Sequence, residues 1–109
     1  MTLKQIALDY FQAFSSRDLN LVMSFFSEEA YLRDWEVSAN SLIELRSVNR
    51  RIFEGATSIV VEPLTVVCNE NIVIAEIDIL IDSAITLRVV DILEFDCNKK
   101  IIAIRAFKG

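Results

Sequence analysis

The sequence predicts an α+β fold in which three N-terminal helices pack into the concavity of a strongly bent, mostly antiparallel sheet. Three observations predict it. Apolar residues recur at the helical period through the first half of the chain, β-branched residues dominate from Thr57 onward, and no linker-like run separates the halves. With 109 residues, 53% of them apolar, and only two Gly and one Pro, residues 1–109 are read as one domain.

Thr2 and Gln5 form a capping-box pattern, after which Leu3, Ile6, Ala7, Tyr10, Phe11 and Phe14 repeat on one face, so the first helix is expected over Leu3 to Ser15. Ser16, Arg17 and Asp18 break it. Asp18 can cap a shorter second helix carrying Leu19, Leu21, Val22, Phe25 and Phe26 and ending near Ser27. Ala30 to Trp35 is short and alternating. Ser41 with Glu44 opens a third helix that buries Leu42, Leu45, Val48 and Ile52 and stops at Gly55. Polar clusters at Asn69-Glu70-Asn71, Asp82-Ser83 and Asp96-Cys97-Asn98 divide the remainder into strands near 58–68, 72–81, 85–95 and 100–107. Short turns between successive strands make an antiparallel meander, and Pro63 marks a bulge or an edge in its first strand. Leu3, Ile6, Phe14, Val22, Phe25, Leu45, Ile52, Leu87, Val89, Leu93 and Phe95 are the expected core.

The composition excludes several chemistries. There is no His, which removes the Ser-His and Cys-His nucleophile systems and imidazole-based zinc sites. Two Gly cannot build a dinucleotide or P-loop fingerprint. Eleven Lys plus Arg against sixteen Asp plus Glu give a net charge of −5 without a basic run, so neither nucleic acid nor an anionic membrane is an expected partner. Charged residues interrupt every apolar run, leaving no signal peptide or membrane span. Cys68 and Cys97 lack a CxxC partner and are read as buried, reduced thiols, which places the chain in the cytoplasm.

One position stands out. On strand 85–95 the odd residues are Ile85, Leu87, Val89, Asp91, Leu93 and Phe95, so an apolar face carries a single carboxyl group. Arg88 points to the opposite face and cannot neutralise it. Burial without a cation raises a carboxyl pKa until the group holds its proton near neutrality, and a protonated carboxyl in an apolar cavity donates a hydrogen bond. The alternative is an Asp at a bulge or barrel mouth, bonded to backbone amides. Tyr10 lies on the apolar stripe of the first helix, where its ring packs and its hydroxyl needs a partner. Asp34 alternates with Leu32 and precedes Trp35, so it can face the interior or serve as a turn residue.

Three segments carry a resemblance. Tyr10-Phe11-Gln12-Ala13-Phe14-Ser15-Ser16-Arg17-Asp18-Leu19, then Phe26-Ser27-Glu28-Glu29-Ala30 running to Asp34, then Asp91-Ile92-Leu93-Glu94-Phe95 with Lys100-Ile101-Ile102 and Arg105-Ala106-Phe107, together span nearly the whole chain. They resemble the ketosteroid isomerase branch of the nuclear transport factor two-like superfamily, which also holds polyketide cyclases of the SnoaL type. The resemblance implies a cone-shaped, cystatin-like fold. It implies Asp34 as general base, with Tyr10 and a protonated Asp91 as the two donors to an oxyanion. It sets Phe14, Trp35, Val89 and Phe107 against the substrate. Two departures stand out: Trp35 replaces the proline usual after the base, and the chain ends two residues after Phe107, without the extension that helps to close the isomerase pocket.

The function expected from these readings is a cofactor-free enzyme that moves a proton next to a carbonyl of a small apolar molecule. A noncatalytic module that holds an apolar ligand or partner in the same pocket is the alternative. An epoxide hydrolase with paired carboxylates stands third and requires an inward-facing arginine. Val60, Leu64, Val66, Ile72, Ile74, Val90 and Ile92 exceed what three helices can cover, so a homodimer is expected.

Overall fold

Local signals start and stop the helices. In the computed structural model, which describes all 109 residues, Thr2 caps α1 (Leu3–Ser16) by accepting a hydrogen bond from the Gln5 N–H at 3.1 Å. Arg17 ends the helix in the left-handed region at φ 55°, and its N–H donates to Phe14 O. The Arg17 guanidinium then reaches across to donate to the carbonyls of Phe53 and Ala56, at the end of α3 (Leu42–Glu54). A cation there also complements the negative end of that helix. Arg17→Met is expected to lower stability by about 1–2 kcal/mol in urea unfolding, since charge-assisted bonds are lost from a partly solvated site.

The second helix is shorter than the periodicity predicts. Asp18 caps α2 (Leu19–Met23) through the Leu21 N–H, but the helix stops four residues before Ser27. The cause is nonlocal. Phe25 O accepts a hydrogen bond from the Ile101 N–H, and Phe26 opens β1 (Phe26–Arg33), whose pairing with β6 (Ile101–Lys108) outcompetes another helical turn. A two-residue strand β2 (Ser38–Ala39) then precedes α3, which Ser41 caps through the Glu44 N–H.

The four later strands follow the turn clusters closely: β3 (Ile59–Asn69), β4 (Ile72–Ile81), β5 (Ile85–Phe95) and β6. They form the expected antiparallel meander. The sheet order is β2-β1-β6-β5-β4-β3, with β1 parallel to β6 and every other pair antiparallel. Three helices thus pack against a curved, six-stranded, mostly antiparallel sheet, an α+β architecture.

Pro63 sits in an edge strand and at a bulge, the two settings that tolerate a missing N–H. The bulge between Pro63 and Thr65 has a second effect. It shifts the alternation, so that Val66 pairs with the fully buried Ala75 and packs inward, whereas Val67 takes the outer position expected for Val66.

Val22, Leu45, Val89, Leu93 and Phe95 are buried as expected, and Leu3, Ile6, Phe14, Phe25 and Leu87 pack partly buried against them. Ile52 departs from the expectation. It is 37% exposed because the concavity is not filled, and Ile52 lines the resulting hollow. Both cysteines depart as well: Cys68, near the end of the edge strand, and Cys97, in the β5–β6 turn, are free and exposed. Edges and turns leave no layer to cover them. No helix is long and apolar enough to cross a membrane.

Candidate active site

The hollow between α1, α3 and the inner face of the sheet is a cavity of about 270 Å³. Fourteen of its eighteen lining residues are hydrophobic, so its chemistry falls to Asp34, Glu36, Asn49 and Asp91 together with the Tyr10 hydroxyl. Phe14, Trp35 and Val89 are among the lining residues. Phe107 is not. It pairs with Val90 on the outer face and is 58% exposed, because Ala106, opposite Asp91, takes the inward position on β6.

Asp91 is held by β5 alternation between Val89 and Leu93, both buried. No protein group donates to its carboxyl and no cation pairs with it, since Arg88 bonds Asp78 on the outer face. The amide-bonded alternative is therefore absent. Burial pushes the Asp91 carboxyl up to about 7, and the neighbouring negative charge of Asp34 adds to the effect. Below about pH 7 it holds its proton and is a hydrogen-bond donor on the wall of an apolar cavity.

Tyr10 is placed by the stripe of α1 and clamped by edge-on contacts with Phe25 and Phe26, ring centroids 5.7 Å apart in each case. Its hydroxyl has no protein partner and opens to the cavity. Burial, and then the charge of Asp91, raise the phenol above its usual range, which keeps its proton in place. The Tyr10 hydroxyl and the Asp91 carboxyl, each favouring its protonated form through burial, therefore line one apolar space.

Asp34 follows β1, where the chain turns toward β2. One carboxylate oxygen, Oδ1, accepts from the Glu36 and Val37 N–H groups at 2.7 Å each, and the Asp34 N–H donates to Val37 O. Asp34 is thus a turn residue through Oδ1 and is also among the residues that line the cavity, while Oδ2 has no protein partner. Trp35 stands at the mouth, 39% exposed, with the Lys108 ammonium 5.9 Å above its ring.

Asn49 went unread in the sequence. It is the buried polar residue of the molecule and forms part of the cavity wall. A signal existed, since Leu45, Asn49 and Ile52 share one face of α3 at spacings of four and three. Elsewhere, a broader open groove of about 510 Å³ lies beside Ser16, Arg17 and Arg50, but the Arg17 head is already engaged by backbone carbonyls. Nowhere do three Cys, Asp or Glu side chains come together as a metal site would require.

A SnoaL-like domain profile matches residues 7–104. No curated protein sequence matches the chain. Solved structures superimpose closely at low identity. A nuclear transport factor two-like protein of unknown function from Cytophaga hutchinsonii has a TM-score of 0.85 at 9% identity, over 100% of this chain and 91% of that one. SalBIII, an epoxide hydrolase/cyclase-like enzyme with a role in pyran ring formation in the polyether salinomycin, gives 0.86 at 16%, over 98% and 90%. A candidate isomerase of the SnoaL-like family from Agrobacterium tumefaciens gives 0.84 at 12%, over 100% and 99%. At these identities the structures speak for the fold, while the profile spans nine-tenths of the sequence and the apolar cone has its polar groups gathered inside, so the chain belongs to the SnoaL-like domain family.

Proposed function

We propose that the protein is a cofactor-free isomerase or related enzyme that moves a proton next to a carbonyl of a small apolar molecule. One observation carries this reading: a cavity lined mostly by apolar side chains brings together Asp34, the Tyr10 hydroxyl and the Asp91 carboxyl, the last two held above their usual pKa ranges by burial and bonded by no protein group. Asp34 removes the α-proton through its free oxygen. Tyr10 and Asp91 donate to the oxygen on which the enolate charge develops, in a setting where fixed donors act strongly. The proton held by Asp34 then returns to another carbon of the same molecule. A cavity just below the range of about 300–1,000 Å³ usual for small-molecule sites favours a ligand of one or two rings over a steroid. No arginine lines the wall, which counts against epoxide opening by paired carboxylates.

The direct test is deuterium incorporation. Small cyclic ketones and enones incubated with the protein in D₂O should exchange protons next to the carbonyl faster than in buffer, and the excess should vanish in Tyr10→Phe/Asp91→Leu. A folded protein that accelerates none of them leaves the second reading, a noncatalytic pocket for an apolar ligand. The observation in favour of that reading is the engagement of Asp34 Oδ1 with the turn amides.

The protein is further proposed to act as a homodimer through the outer face of the sheet. Val60, Val67, Ile74 and Phe107 are exposed there, and Val90 and Ile92 are half-buried beside them. Sedimentation should give twice 12.4 kDa. Phe107→Glu should shift the species to the monomer at micromolar concentration without unfolding it, and a monomeric parent protein would overturn the proposal. Two free surface thiols favour a reducing compartment, which supports a cytoplasmic home.

A further inference from the structure

Asn49 is about 1% exposed, on the inner stripe of α3, where an apolar residue would pack at less cost. Its Nδ2 donates to Met23 Sδ at 3.7 Å, and a thioether is a weak acceptor. No protein group bonds its Oδ1, yet no side-chain nitrogen or oxygen is sealed away without a partner. The amide oxygen therefore opens into the cavity whose wall Asn49 forms. A buried amide left this way discriminates between ligands, since a compound without a matching polar group strips its water and returns nothing.

We propose that Asn49 is a specificity-determining residue that hydrogen-bonds a second oxygen of the ligand, so that the pocket takes an apolar hydroxy-carbonyl compound. The proposal rests on the preceding reading for the carbonyl, which lies between Tyr10 and Asp91. The hydroxyl lies against the Asn49 amide. A hydroxyl suits it because it donates to Oδ1 while accepting from the second Nδ2 hydrogen. A carboxylate does not, because the ionisable groups of the wall besides Tyr10, namely Asp34, Glu36 and Asp91, are all acidic and no cation lines the cavity.

The test uses 2-naphthol and the 1,6-, 2,6- and 2,7-dihydroxynaphthalenes as fluorescent probes, rigid and small enough for 270 Å³. Their first hydroxyl stands in for the enolate oxygen. At least one diol should bind the parent protein about tenfold more tightly than 2-naphthol, as one well-made buried hydrogen bond allows. Asn49→Leu should abolish that preference, with 2-naphthol gaining affinity because it no longer strips water from an unmatched amide. Asn49→Ala provides the same comparison if the Leu variant does not fold, since it too lacks a polar group for the second hydroxyl. The absence of any diol preference in the parent protein overturns the proposal, as does a preference that survives in a folded Asn49 variant. The underlying reading fails separately: it is lost if Tyr10→Phe leaves 2-naphthol binding unchanged, whereas the Asn49 proposal is judged on the difference between diol and naphthol.

Discussion

Replacing Asp34 with Asn should lower the rate of α-proton exchange by about 10²–10⁴-fold, the usual contribution of a positioned general base. The substitution is informative because the fold should survive it. An Asn side-chain carbonyl can accept the same two bonds from the Glu36 and Val37 N–H groups that Asp34 Oδ1 accepts, so the turn after β1 keeps its geometry. Only the second carboxylate oxygen, the proposed base, is lost. Binding of 2-naphthol should therefore persist, and loss of the nearby negative charge can only help an oxyanion to bind. Asp34→Ala would remove both functions together and could not separate them. A folded Asp34→Asn protein that exchanges as fast as its parent would take the base away from Asp34 and leave it as a turn residue.

The elements set by neighbouring residues were legible in the sequence. Thr2 with Gln5 and Ser41 with Glu44 are local capping pairs, and both mark helix starts in the structure. The polar clusters after Cys68, Ile81 and Phe95 are local turns, and three strand boundaries lie at them. Asp91 was legible because strand alternation is strict where no bulge intervenes. The features that escaped depend on distant partners. Phe25 and Phe26 fit a helical stripe until β6 offers them backbone bonds, and the parallel β1–β6 pairing that results has no signature in either segment alone. Val66 was misplaced because a one-residue bulge reverses every face beyond it. Ile52 and Asn49 share a different cause. Periodicity identifies the inward face of α3 but not whether protein or empty space stands opposite, and a hollow cone turns core positions into a wall. Phe107 shows the same boundary from the other side, since the extended end of β6 gave it no evident face until pairing with Val90 fixed one.

The pH dependence of stability should carry the signature of Asp91. Folding takes its carboxyl from the ordinary carboxylate range up to about 7, so between roughly pH 4 and pH 7 the folded state holds a proton that the unfolded state releases. Stability from this group is therefore fully present at low pH and falls as pH rises through that window, by a total on the order of 4 kcal/mol, with no further loss above it. Other carboxylates work in the opposite sense, since Asp78 and Asp82 are held below the usual range by Arg88 and by the hydrogen bonds of Thr57 and Ser58. Comparing the parent protein with Asp91→Asn isolates the single site. Near pH 4 the two should differ by less than about 1 kcal/mol, because a protonated carboxyl and an amide each offer a donor and an acceptor to the same space. Near pH 9 the variant should be the more stable by several kcal/mol, because the parent then buries an unpaired charge that Asn lacks. Asp34→Asn supplies the cross-check. With one negative charge gone from the cavity, the Asp91 pKa should fall toward its ordinary range, so that the carboxyl ionises more readily and at less cost to the folded state, and the pH-dependent loss should shrink. A difference between parent and Asp91→Asn that stays constant from pH 4 to pH 9 in urea unfolding would mean that Asp91 carries no raised pKa. The cavity would then lack its second oxyanion donor, and the binding-module reading would prevail.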